Sequence, residues 1–229
     1  SLALAVVLVL VIFQTAPGFM DADYYYATGL RIANGQGLTE PFIWNYLGNP
    51  EGIPHPSHSY WMPLTSFLAA AGMSVTGVRN FLAARLVFIL LAVMIPPMTY
   101  HTALAIQEDQ KTAFLAGLFA CFSSFYLPFL TVTDSFAPTM ALGGLLFLSF
   151  QRGETAADLL LMGVLCGALH LSRAEGILWL GIAALHLVWN GECKVASYMY
   201  LVAGYLLMLG PWMVRNFQAF NNSLWGGWR

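Results

Sequence analysis

PGFMDADYYYATGLRIANGQGLTEPFIWNYLGNPEGIPHPSHSYWMP, residues 17–63, is the least lipid-like stretch of an otherwise apolar chain. It sets two carboxylates, Asp21 and Asp23, just beyond an apolar run, follows them with Tyr24, Tyr25 and Tyr26, and then turns repeatedly through glycine and proline. Acids at the end of an apolar helix are costly at a bilayer boundary and ask for a reason. The stretch therefore reads as an active-site loop, and the apolar segments on either side read as the frame that holds it at a membrane surface.

The composition agrees with that frame. With 59% hydrophobic and 9% charged residues and a mean hydropathy of +0.68, the chain falls outside the soluble range of roughly 25% charged residues. It reads as an integral membrane protein. The net charge is -2 and the nine basic residues are scattered, so no basic stripe points to nucleic acid as a partner. Cys121 and Cys166 lie in apolar runs and Cys193 in a short polar link, without a C-x-x-C or a histidine spacing suited to zinc.

Seven apolar runs are candidate spans: 1–13, 80–106, 112–130, 135–150, 155–171, 176–190 and 195–212. The first is only about 20 Å long as a helix, against a hydrocarbon core of roughly 30 Å, and the chain is expected to be the N-terminal part of a longer protein. A signal-peptide core is the other reading of that run, but no small-residue cleavage site follows it. The run 60–77, opened by Trp61 and Pro63, reads as a helix lying at the interface. The expected architecture is all-α and polytopic: one module over residues 1–229, a bundle of about seven transmembrane helices joined by short turns. Residues 15–79 would form a long first extracytoplasmic loop bearing interfacial helices. Gly143, Gly144, Gly163 and Gly167 would let helices approach closely.

By parity, the loop, the links 131–134 and 172–175 and the tail share one face, opposite the links 107–111, 151–154 and 191–194. The loop face carries Arg31, Arg79, Arg173, Arg215 and Arg229, and the other Lys111, Arg152 and Lys194. The positive-inside rule would place the loop in the cytoplasm. The opposite reading rests on residue type, since every basic residue of the loop face is an arginine, the side chain suited to gripping phosphate in two places.

That face gathers the candidate chemistry. Asp21 and Asp23 form D-A-D, readable as a helix N-cap with a first-turn acid or as a general base, alone or with a metal-ligating role. Asp134, in TVTDSFAP, reads as an N-cap with Pro138 in the first turn or as a second acid of the same site. Arg173 and Glu175 form a local ion pair or a binding pair. Arg215 either snorkels or binds, and His55 and His58 serve as loop hydrogen-bonders or metal ligands. Carboxylates with arginines beneath an aromatic loop suit a substrate bearing a phosphate, a transferable polar group and a lipid tail. The competing class is a polytopic transporter or channel, or a flippase or binding subunit for a lipid-linked sugar. Its charges would sit near mid-helix, whereas these sit at the ends of apolar runs.

Five motifs taken in order, DADYYYATGLRIANGQGL (21–38), HPSHSYWMPL (55–64), FLAARL (81–86), TDSFAP (133–138) and PWMVRN (211–216), resemble the N-terminal transmembrane module of the GT-C glycosyltransferases. The nearest branch is the protein-mannosyltransferase and aminoarabinose-transferase type. The resemblance implies a membrane enzyme, set in a bacterial inner membrane, that moves a sugar with inversion from a polyprenyl-phosphate donor to a lipid, glycan or protein acceptor on the extracytoplasmic face. By position it makes Asp21 the acid of the first external loop and Asp134 that of the second. The family's second loop acid falls on Ala22, which leaves part of that role to Asp23. Arg173 and Arg215 would meet the lipid phosphate, and Tyr25, His55, His58 and Glu175 complete the substrate-binding set. No organic cofactor is implied; the charge of the leaving phosphate would be held by arginine or by a divalent metal, for which Asp21 and Asp134 are the candidate ligands.

Overall fold

The structure is a computed structural model that describes residues 2–43, 51–153, 155–192 and 194–220. Glu154, Cys193 and the tail 221–229 with Arg229, which entered the topology reading, lie outside the described residues.

An unbroken aliphatic run forms α1 (Leu2–Phe13). Gly18, at φ 91°, turns the chain, a conformation that glycine adopts without a Cβ penalty, and α2 (Met20–Ala33) follows with Asp21 and Asp23 in its first turn and Arg31 in its last. Both ends complement the helix dipole. The cap of α2 is Phe19, with no side-chain hydrogen bond, so Asp21 is a first-turn acid and not the cap. A short ribbon pairs β1 (Thr39–Glu40) with β2 (His55–Pro56) antiparallel, Glu40 opposite His55. Then come α3 (Leu64–Thr76), stopped by left-handed Gly77, α4 (Phe81–Ala84), capped by the Asn80 side chain, and α5 (Leu86–Gln107). Asp109 caps α6 (Gln110–Ala120) through the Lys111 and Thr112 N–H groups. A 3-10 turn (Ser124–Phe129) leads to α7 (Phe136–Ser149). Thr155 caps α8 (Ala156–Ser172), and α9 (Ile177–Trp189) and α10 (Val195–Ala219) close the described chain.

The fold is helical as expected, but the expectation of about seven spans is corrected. Among the described residues two helical stretches are long and apolar enough to cross a membrane by length and composition: Phe81–Gln107, where α4 and α5 run on as 27 residues, and Val195–Ala219, with 25. At 1.5 Å per residue these reach roughly 40 Å, against the roughly 30 Å of a hydrocarbon core. The remaining apolar helices are shorter because the runs break. The run 112–130 divides into an 11-residue helix and a 3-10 turn containing Pro128. The run 135–150 yields 14 helical residues and 176–190 yields 13. Residues 60–77 hold the 13-residue α3 rather than a full-length interfacial helix. The described part of the 15–79 segment carries α2, the ribbon and α3.

Packing gathers in two large apolar centres and a small one of Ala22, Phe81 and Val132. Leu159, Met162, Leu169, Leu201, Tyr205 and Leu209 fill the seam of α8 and α10. Met73, Ala84, Phe88, Ala92 and Val7 join α3, α4, α5 and α1. In the first seam the backbones themselves nearly touch. A Cβ on Gly163 would lie 2.0 Å from Leu201 O, one on Gly204 2.2 Å from Leu160 O, and one on Gly167 2.8 Å from Tyr205 O. From Gly163 to Gly167 the facing residue moves from Leu201 on to Tyr205, so α8 and α10 run parallel. The close approach expected at Gly163 and Gly167 is present, whereas Gly144 meets only the flexible Met98 side chain and Gly143 has ordinary clearance.

Gly204→Ala is therefore expected to destabilise the fold by about 1–3 kcal/mol, since backbone cannot yield as a side chain can. Gly181→Ala, where nothing lies within 4 Å, should be neutral or stabilising by up to about 1 kcal/mol. Thermal unfolding of the two variants in detergent checks the contrast; equal shifts would contradict backbone contact at Gly204.

Candidate functional site

The first turn of α2 and the turn before α7 are drawn together by one bond: Thr133 Oγ1 donates to Ala22 O at 2.8 Å, across 111 residues of sequence. Ala22 is fully buried in that contact. Asp21 is half-buried beside it, whereas Asp23 is exposed. Two residues on a helix turn the side chain about 200° away, so the two acids of D-A-D serve different surroundings.

Asp134 is 1% exposed. Its Oδ1 accepts from the Ser135 N–H and, at 3.2 Å, from Ser135 Oγ. Its Oδ2 is buried with no hydrogen-bond partner. The cap of α7 is Ser135, without a side-chain bond, so the N-cap reading of Asp134 is replaced by a carboxyl that bonds its own neighbour and points one oxygen elsewhere. Burial pushes Asp134 up to about 6, the Ser135 bonds oppose this, the charge of Asp21 adds to it, and Arg173 pulls it down. Burial likewise raises Asp21, with Arg173 opposing. The charge of one guanidinium thus acts on both acids.

Arg173 closes α8 in an extended conformation. Its Nε donates to Glu175 Oε1 at 2.6 Å and its Nη1 to Ser135 Oγ at 3.1 Å, and its guanidinium lies 5.6 Å from the Phe136 ring centre. The local Arg173–Glu175 pair is real, and it sits at the acid pair. Tyr25, 2% exposed, has its phenol pushed up by burial and then by the charges of Asp134 and Asp21.

Beside this group opens a crevice of about 310 Å³, lined by Phe13, Pro17, Phe19, Phe129 and Val132 with Gln14 at its wall. Gln14 Nε2 donates to Pro128 O at 2.7 Å and its Oε1 accepts from Thr131 Oγ1. Arg85 holds the end of α1 through Val11 O (3.0 Å) and Gln14 O (2.6 Å). Phe19 and Val132 line it and belong to the apolar cluster around Ala22, whereas Asp21, Asp134 and Arg173 do not line it.

The other candidates belong to a second centre. Arg215 Nη2 donates to Ser57 O at 2.8 Å and Leu38 O at 3.1 Å, and its guanidinium stacks 4.8 Å from the Trp212 ring centre. His58 lies between Ser57 Oγ (2.8 Å from Nδ1) and Ser66 Oγ (3.0 Å from Nε2), while its N–H donates to Tyr24 OH at 2.7 Å. Burial, with Arg215 adding, holds its imidazole down to about 3, hence neutral. His55 meets Phe42 O at 2.9 Å and Glu40 Oε1 at 3.4 Å. Arg215, His55 and His58 therefore fasten the ribbon. Glu40, which sequence reasoning missed, is 2% exposed; burial raises it, while Tyr24, His55 and Arg215 hold it down. Its only sequence signal is an acid standing alone amid turn residues.

Among the described residues no group of three or more His, Cys, Asp or Glu side chains could hold a metal ion. Asp21 and Asp134 both feel the charge of Arg173, and no third His, Cys, Asp or Glu joins them among the described residues. No family model, curated protein or solved structure matches the chain.

Arg215→Ala leaves the Leu38 and Ser57 carbonyls without their charged donor, a loss of roughly 1.5–3 kcal/mol for each bond to a charged group. The expected result is faster amide exchange at Ser57 and Glu40 than in the unaltered protein. Unchanged exchange would show that the ribbon does not depend on this side chain.

Proposed function

We propose that this chain moves a sugar from a polyprenyl-phosphate donor to an acceptor at a membrane surface, with Asp21 as the general base. The observation that carries the reading is the convergence of two carboxyls and one arginine beside an apolar crevice. An arginine answers a phosphate, an apolar slot answers the first units of a lipid chain, and a half-buried carboxylate answers an acceptor proton. The five motifs that resemble GT-C transferases support the same assignment.

In the proposed step Asp21 takes the proton of the acceptor hydroxyl or amine as that atom bonds to the anomeric carbon. The bond from that carbon to the phosphate oxygen breaks on the opposite face, with inversion. The electron pair leaves on the lipid phosphate, whose charge Arg173 stabilises. Most of the rate gain comes from holding two membrane-bound partners in line. The two long apolar helices supply attachment. The proposed setting is a bacterial inner membrane with the site on the extracytoplasmic side, and the acceptor is a lipid, glycan or protein.

Incubation of purified protein with labelled polyprenyl-phosphate sugars tests the reading. Asp21→Asn is expected to lower transfer about 10²- to 10⁴-fold, the range for a positioned base, with lipid binding retained. Asp23→Asn should lower it less, and Arg173→Lys should weaken donor binding. Full transfer in both aspartate variants would end the catalytic assignment, and lipid binding by a protein that transfers nothing would favour a flippase or binding subunit.

A further inference from the structure

The crevice at the end of α1 has one fixed wall and one that hangs on a few bonds. Arg85 grips Val11 O and Gln14 O where α1 ends, which makes that wall a post. The other wall, residues 128–132, is held to it by the Gln14 carboxamide, bonded to Pro128 O and Thr131 Oγ1, and by the Phe129 ring, 5.0 Å from Phe19. This second wall runs into the Asp134 turn: the Asp134 N–H donates to Val132 O at 2.8 Å. Where a ligand would lie, the walls are apolar. No charged side chain occurs from residue 1 to 20 or from 112 to 133, and the Gln14 carboxamide is spent on the opposite wall, so a phosphate or sugar would lose its hydration there without ionic repayment. Rings are what the crevice offers. Phe125, 73% exposed, lies 5.6 Å from Phe129, which meets Phe19, and Phe13, 81% exposed, lines the α1 side. A row of ring faces and edges suits a flat, unsaturated chain, and about 310 Å³ is at the small end of ligand pockets.

We propose that the crevice seats a few units of one isoprenoid chain, and that the seated chain braces residues 128–134 against the post of α1, so that occupancy of the apolar site is felt at the Asp134 turn. A ligand touching both walls binds only while they are together, and so makes their parting rarer. Gln14, which joins the walls, is the positioning residue of this device. Its purpose rests on the transfer reading, in which the acid turn is set only once the donor's tail is in place. The brace itself can be measured without sugar, phosphate or acceptor.

Two amides within the moving wall report on it, Leu130 N–H bonded to Leu127 O and Asp134 N–H bonded to Val132 O. The full chain in saturated phosphatidylcholine nanodiscs, given geranylgeraniol alone, should exchange both about tenfold more slowly at ten times the dissociation constant. Inorganic phosphate should change nothing, and hexadecanol, of the same main-chain length but saturated, should slow exchange less. Ala16→Trp sets a ring into the crevice and should abolish the response. Gln14→Leu cuts the bonds between the walls at nearly the same side-chain size and should speed exchange at both amides, which a merely space-filling Gln14 would not do. Should Ala16→Trp fail to fold, Phe13→Ala, which removes an exposed ring from the wall, should raise the geranylgeraniol concentration needed. Unchanged exchange with geranylgeraniol, a response that survives Ala16→Trp, or a response to phosphate overturns the brace. An equal response to hexadecanol overturns the isoprenoid and makes any bilayer chain the occupant. Slowed exchange in a protein that transfers no sugar keeps the brace and removes only the transferase.

Discussion

His58 is the point on which the loop between α2 and α3 turns. It is 1% exposed, both ring nitrogens are bonded to serines, and its backbone sits at φ 60°, a left-handed conformation costing roughly 1–2 kcal/mol for a residue with a Cβ. Such a conformation persists only where the surroundings over-determine it. Here they do. Ser66 hydrogen bonds to Thr28 at 2.6 Å, Tyr24 receives the His58 N–H, and Arg215 grips the carbonyl of the residue before. A buried neutral imidazole thus ties α2, α3 and α10 to one turn of chain, and the ribbon follows from it.

The candidate site is built differently. Its groups come from distant parts of the chain and are joined by a few direct bonds rather than by a continuous polar network. Thr133 to Ala22 brings two turns into contact, and Gln14 repeats the same join one layer away, donating to Pro128 and accepting from Thr131. Each anchoring bond uses a backbone carbonyl or an uncharged side chain. The charges of Asp21, Asp134 and Arg173 are therefore left to act on one another and on a ligand.

Much of this arrangement could be read in the sequence. Gly163 and Gly167 were expected at a helix contact, and they are there; the first turn of α2 and the TDSFAP turn are joined by the Thr133 to Ala22 bond. What hydropathy could not reveal was helix length. It registers that residues 112–130 are apolar, but the 3-10 turn around Pro128 is set by backbone geometry that a window average does not sense. Nor could composition separate arginines by partner. Arg173 and Arg215 both end apolar runs, yet only one faces the acids, because the other meets two carbonyls freed by the ribbon. Glu40 escaped notice since its importance comes from burial, which a lone acid among turn residues does not announce.

The parallel contact of α8 and α10 links the two polar centres mechanically. Helices separated by side chains can slide as rotamers change, but backbones in contact through Gly163, Gly167 and Gly204 have no such give. The seam therefore works as a ruler. Arg173 stands at the far end of one rod, and Arg215 lies near the same end of the other, so the distance between them is set along the rods rather than by the loop above.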